Sequence, residues 1–164
     1  MSDPEPETDQ RDLALVVSAM VEHVLQVAAT WPDWDGRPRA VPVEGEAEPR
    51  LYSPHKALRR VADHMLDHLA ELEMRLAGLE SEPDAWHGSM VTSASDLTAF
   101  SAEDLDEARS RLLRLGLLWA LRLRALSSEQ LDARPDSAWS FRQLAFHVAE
   151  AGALYADPMG PAPR

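Results

Sequence analysis

Cysteine is absent from all 164 residues, which excludes disulfides, thiolate metal sites and a cysteine nucleophile, and fits a reducing cytoplasm. Aromatic residues are only 6% of the chain while Leu and Ala are heavily used. That balance favours helix over strand, because unbranched side chains lose little rotamer freedom in a helix. Lysine occurs once, at Lys56, against 15 arginines, a bias that hints at a GC-rich bacterial genome and says nothing of mechanism. Every apolar stretch is interrupted by Arg or His well before the roughly 20 residues that cross a bilayer, so no spanning helix is expected. The opening segment, Met1–Gln10, is acidic and proline-containing, the opposite of a signal peptide's basic start and apolar run, and points to a cytoplasmic protein. A net charge of −12 repels nucleic-acid phosphates and anionic lipid, so neither is expected as a partner.

The length suits one ordinary domain with a real core. Residues 1–8 read as a flexible acidic start, 9–157 as a helical domain and 158–164 as a flexible end. Four helices are expected. The first follows an N-cap at Thr8 and runs to about Thr30, with Leu13, Val16, Val17, Met20, Val21, Val24, Leu25 and Val27 near the 3.6-residue period. The second is punctuated by Ser53 as N-cap, Pro54 at the first helical position and Gly78 past its end. Its core face carries Leu58, Val61, Ala62, Met65, Leu69, Leu72 and Leu76. The third is capped by Ser101, runs to about Leu126, and is apolar nearly all round at Leu117–Leu121, a stretch expected to be deeply buried or to lie at the subunit contact of a homodimer. The fourth opens with a Ser140/Gln143 capping box and closes by Asp157-Pro158, burying Phe141, Leu144, Ala145, Val148, Ala151 and Tyr155. Residues 31–52 and 79–100 read as long irregular loops, and Ser127–Pro135 as a turn. No strand pattern competes, so the expected architecture is an all-α antiparallel four-helix bundle.

Chemistry concentrates in the histidines. His64 and His68, four apart on the second helix, sit one above the other and can face one ion. His147, at the edge of the fourth helix's apolar stripe, is the natural third ligand if the two helices are neighbours. A catalytic site typically uses three protein ligands and leaves a position open. Two readings stand on the residues alone: a three-histidine metal site, or three boundary histidines solvated or bonded to nearby carboxylates. Asp63, Asp67 and Glu71 are placed to orient ligand imidazoles, or simply form the wet face of the helix. Glu150, three after His147, has the spacing of diiron bundles, but the second matching motif is missing. His87 and Ser89 lack an acid partner and an oxyanion hole, so a hydrolytic triad is poorly supported. Trp31, Trp34 and Trp86 either line a pocket mouth or cap the ends of the core.

Two of these segments resemble the DinB/YfiT-like superfamily of metal-dependent enzymes, which includes mycothiol-dependent maleylpyruvate isomerases and bacillithiol or mycothiol transferases. They are Trp139-Ser140 followed after six residues by His147, and the HxxxH pair within Ala62–Leu72. The resemblance covers a small part of the chain, and its order is reversed: in the commonest family pattern the Trp-Ser helix comes early and the HxxxH helix late. Matched this way, the bundle is arranged as though circularly permuted, which adjacent termini would allow. A mapping in chain order would pair His64 with His147 and require a ligand at Ala151, losing one. The first mapping implies a zinc, nickel or similar divalent ion on His64, His68 and His147, and a low-molecular-weight thiol as cosubstrate of a transferase or isomerase, hydrolysis being open to the same site.

Overall fold

The computed structural model describes residues 11–43, 45–81, 91–135 and 138–162. In chain order they form α1 (Leu13–Ala28), β1 (Arg39–Val41), β2 (Arg50–Tyr52), α2 (Pro54–Leu76), α3 (Ala102–Ala125), α4 (Ser128–Asp132) and α5 (Phe141–Ala156), with single 3-10 turns at Ala94–Leu97 and Asp157–Met159. Among the described residues no helix is long and apolar enough to cross a membrane.

Helix punctuation follows the sequence closely at three of the four long helices. The Ser53 side chain accepts from Lys56 N ahead of Pro54, and Ser101/Asp104 and Ser140/Gln143 form reciprocal capping boxes. Gly78 takes φ +71°, and the Leu79 amide returns to Met74 O at 2.9 Å, closing α2. The start of α1 is a correction. Asp12, not Thr8, is its N-cap, accepting from the amides of Ala14 at 2.9 Å and Leu15 at 3.4 Å; Thr8 lies outside the described residues. The expected turn after α3 contains a further helix, α4, because Ser127 and Gln130 make a capping box of their own.

The four long helices form a square in which α1 packs on α3 and α5, and α2 packs on α3 and α5, leaving α1 and α2 on one diagonal. Directions follow from side-chain pairs near opposite ends. Arg11 stacks on Phe146 at 5.0 Å and His23 meets Asp157 at 2.5 Å, so α1 and α5 run the same way. His55 lies 3.7 Å from Asp104 and Glu73 pairs with Arg122, so α2 and α3 also run together. Contacts of Asp12 with Arg124, and of Arg60 with Tyr155, set α1 against α3 and α2 against α5. The order is therefore up, down, down, up, and only two of the four neighbouring pairs are antiparallel, which corrects the expectation of a fully antiparallel bundle. The physical reason is the length of the connections: α1 and α2, on one diagonal, and α2 and α3, which run the same way, are each joined by a stretch of chain too long to be a tight turn between antiparallel neighbours. The two ends of the described chain, near Arg11 and Ala162, consequently sit at opposite ends of the bundle rather than side by side.

The 31–52 excursion is more ordered than its proline content suggests. β1 and β2 pair antiparallel in the register Arg39↔Tyr52, Ala40↔Leu51 and Val41↔Arg50. Three-residue strands are too short to show a legible alternation in sequence. Below them, Trp31, Trp34, Phe100 and Met159 are all buried. Trp31 donates its indole N–H to Gly160 O at 2.8 Å, Trp34 donates its own to Arg37 O at 2.9 Å, and the Trp34 and Phe100 backbones form a bridge. Trp31 and Trp34 thus cap the core instead of lining a mouth; Trp86 lies outside the described residues. Gly36, at φ +84°, runs so close to the Leu97–Thr98 backbone that a Cβ would sit 2.3 Å from Leu97 O.

At the middle of the bundle Trp119 is fully buried and donates its indole N–H to Met65 O at 3.0 Å. The stretch Leu117–Leu121 divides: Trp119 and Ala120 are buried, whereas Leu117, Leu118 and Leu121 are exposed.

Candidate metal centre

Antiparallel packing of α2 on α5 brings His64, His68 and His147 together, each offering one ring nitrogen, with these atoms all within 4.8 Å of one another. The ring centroids form a near-equilateral triangle: 4.6 Å for His64–His68, 4.9 Å for His64–His147 and 5.0 Å for His68–His147. On α2 the i,i+4 spacing stacks the pair. On α5 the Ser140/Gln143 box fixes where the helix starts, and hence which turn presents His147. Ions such as zinc hold imidazole nitrogens at about 2.0–2.1 Å, which puts tetrahedral ligands about 3.3 Å apart. Donor atoms no more than 4.8 Å apart stand near that spacing, so the donor set fits a divalent ion. Among the described residues it is the only cluster of His, Asp or Glu with such geometry.

His64 is buried, and burial first, then the neighbouring His68, His147 and Arg60, pushes its pKa from 6.5 down to about 3. It is therefore neutral near pH 7, the form that binds metal. The consequence for the metal-free protein is a pH dependence of defined sign. The unfolded chain takes up this proton near pH 6.5 and the folded one only near 3, so the stability that the neutral ring contributes is complete above 6.5 and falls as pH drops between those values. Urea unfolding midpoints of metal-free protein, measured from pH 7.5 down to 4, are expected to decrease through this window, and less so in His64→Phe.

A chain of contacts behind the triad holds two of its members. Nδ1 of His68 donates to Glu71 Oε2 at 2.9 Å, leaving Nε2 for a ligand role. Glu71 accepts from Arg75 at 3.2 Å, and its pKa is lowered, first by the His68 bond. Arg75 donates to the Trp139 carbonyl at 2.8 Å and stacks on Phe141 at 4.4 Å, while the Trp139 ring packs on His147 at 4.6 Å. The two helices are thus tied through Glu71, Arg75 and Trp139. Glu71→Ala is expected to weaken zinc affinity roughly 10–100-fold, read by competition with a chromophoric chelator. Unchanged affinity would remove Glu71 from the centre.

Of the other sequence candidates, Asp63, Asp67 and Glu150 are not members of the three-donor cluster. Asp63 lies 3.9 Å from Arg59 on the side of α2 toward the 3-10 turn, and Asp67 and Glu150 are exposed. His87 and Ser89 lie outside the described residues. His23 pairs with Asp157 and His55 with Asp104, far from the triad. Sequence reading missed Arg60, one turn before His64. It is buried and donates to the Tyr155 hydroxyl at 2.8 Å, with the Tyr155 ring 5.9 Å from His64. Its signal was available: Lys56, Arg60, His64 and His68 recur every four residues along one stripe of α2. No family model and no curated protein matches the sequence, and no solved structure matches the fold.

Proposed function

We propose that the chain is a DinB/YfiT-like metal-dependent enzyme in which His64, His68 and His147 hold one divalent ion, zinc or nickel, and a low-molecular-weight thiol serves as cosubstrate of a transfer or isomerisation. The observation that carries this reading is the convergence of three imidazoles from two helices, with Glu71 set behind His68. A divalent ion bound there supplies Lewis acidity, favouring the anionic form of a coordinated thiol near neutral pH. The protein's own part is to present three neutral donors, which leave the ion's charge uncompensated and ready for an anion. Arg60, within electrostatic range of His64, adds positive charge on the same side. Because the chain contains no cysteine, the sulfur must come from outside. The family likeness requires the helix order to be permuted, and here relinking would need a segment spanning the bundle's length, since the described ends lie at opposite ends.

Cobalt substitution tests this reading. Cobalt-loaded protein is expected to gain a near-ultraviolet sulfur-to-metal band on addition of a low-molecular-weight thiol, a band that the cysteine-free protein cannot produce by itself. Metal binding without any such band would refute the thiol role while leaving the metal site standing. A second reading, a helical binding module without functional metal, draws on the exposed leucines of α3.

A further inference from the structure

Two polar residues outside the ligand set border the metal centre on the side toward the N-terminus of α2. Arg60, one turn before His64, is 3% exposed, lies 4.6 Å from the centroid of the Tyr155 ring and donates from Nη2 to the Tyr155 hydroxyl at 2.8 Å. A guanidinium has no acceptor, so in this bond the phenol oxygen accepts and its own proton is left to donate. Tyr155 is also packed between two further rings, the buried Tyr52 at 6.2 Å and His64 at 5.9 Å, the latter edge-on at 73°. Arg60, Tyr52 and His64 together fix its ring, yet Tyr155 itself is only half-buried. A small molecule held on an ion at His64 reaches across the gap between the two rings.

We infer that Tyr155 is the hydrogen-bond donor of this centre, set to hold an oxygen acceptor of the molecule bound to the ion, with Arg60 as the residue that positions it. The inference rests on the metal reading above and adds to it a class of ligand: one that carries an oxygen acceptor beside the atom on the metal, as a carboxylate does. Two effects favour donation here. The bond from Arg60 draws electron density from the phenol oxygen, which strengthens its O–H as a donor. A donor already oriented also costs no reorganisation when it meets negative charge. A mere clamp of α2 on α5 needs the contact of Arg60 with the ring and makes no demand on the phenol proton, so ligand affinity separates the two roles.

Cobalt-loaded protein near neutral pH tests it, with two probes followed by the visible absorption of the ion. Acetate brings a second oxygen beside the one on the metal, whereas imidazole binds through one nitrogen and then offers no acceptor. Tyr155→Phe keeps the ring under Arg60 and removes only the hydroxyl, so the variant is expected to fold and to take up cobalt as the wild type does. Its affinity for acetate is expected to fall about tenfold, the loss of a hydrogen bond to a charged acceptor, with its affinity for imidazole unchanged. Arg60→Lys keeps the charge and loses the planar fork; it is expected to weaken acetate binding in the wild type and to add little in the Tyr155→Phe background. A wild type that binds acetate no better than Tyr155→Phe does, or an equal loss for both probes, overturns the donor role and leaves the metal centre standing. Arg60→Lys losses of the same size in both backgrounds overturn the positioning role of Arg60, and a wild type that takes up no cobalt overturns the metal reading together with this inference.

Discussion

Replacing His147 with Ala is expected to abolish tight binding of zinc or nickel while leaving the far-ultraviolet circular dichroism close to that of the wild type. The ring sits at the half-buried edge of α5, and Leu144, Ala145 and Val148 keep their places in the core without it. Alanine is also the better helix former, so the helix itself does not suffer. What is lost is one of three donors, and the loss in affinity should exceed the roughly 10–100-fold that follows removal of a supporting group such as Glu71. His64→Ala is expected to lose metal as fully but to cost packing as well, because that ring is only 6% exposed. Calorimetric titration with zinc, set beside chemical unfolding of each variant, separates the two effects. Retention of wild-type affinity in His147→Ala would remove α5 from the centre.

The largest stability effect is expected at Trp119. The side chain is fully buried between α3 and its neighbours, and its N–H donates to Met65 O at 3.0 Å. Truncation to Ala leaves a cavity the bundle cannot fully close, at a cost of about 3–5 kcal/mol. In a chain of this size that corresponds to a fall in Tm of roughly 6–20 °C. Trp119→Phe keeps most of the volume and loses the indole hydrogen bond, so its cost should be nearer 1 kcal/mol from that bond plus a small void. Because Met65 follows His64 directly, loosening this contact disturbs the turn that presents the first ligand. Trp119→Ala is therefore expected to weaken metal affinity as well, in protein held well below its Tm. A Tm within 2–3 °C of the wild type, at a cost of about 1 kcal/mol, would show that the site collapses around the void.

Much of this architecture was legible because the residues that mark helices act locally. Ser53 with Pro54, Ser101 with Asp104, and Ser140 with Gln143 each satisfy amides within three residues, so their sequence spacing is their geometry. The same locality made His64 and His68 readable as a pair. His147 joins them only through the packing of α2 on α5, and its spacing alone could not distinguish a ligand from a boundary residue. Helix direction was not legible at all. It depends on where long connections run, and two of them are too long to be tight turns between antiparallel neighbours. The β1–β2 hairpin was hidden by its brevity, and the roles of Trp31 and Trp34 by the fact that their indole partners, Gly160 O and Arg37 O, are backbone carbonyls with no side-chain signature. Arg75 was invisible for a related reason: it links Glu71 to the Trp139 carbonyl, 64 positions away.

The most direct measurement is metal content per chain by elemental analysis, on untagged protein purified without chelator and then offered zinc and nickel, beside a variant with His64, His68 and His147 all changed to Ala. One divalent ion per chain in the wild type and none in the variant is the expected result. A wild type that neither retains nor takes up either ion, or a variant that binds as well as the wild type, would contradict a metal centre at these three histidines.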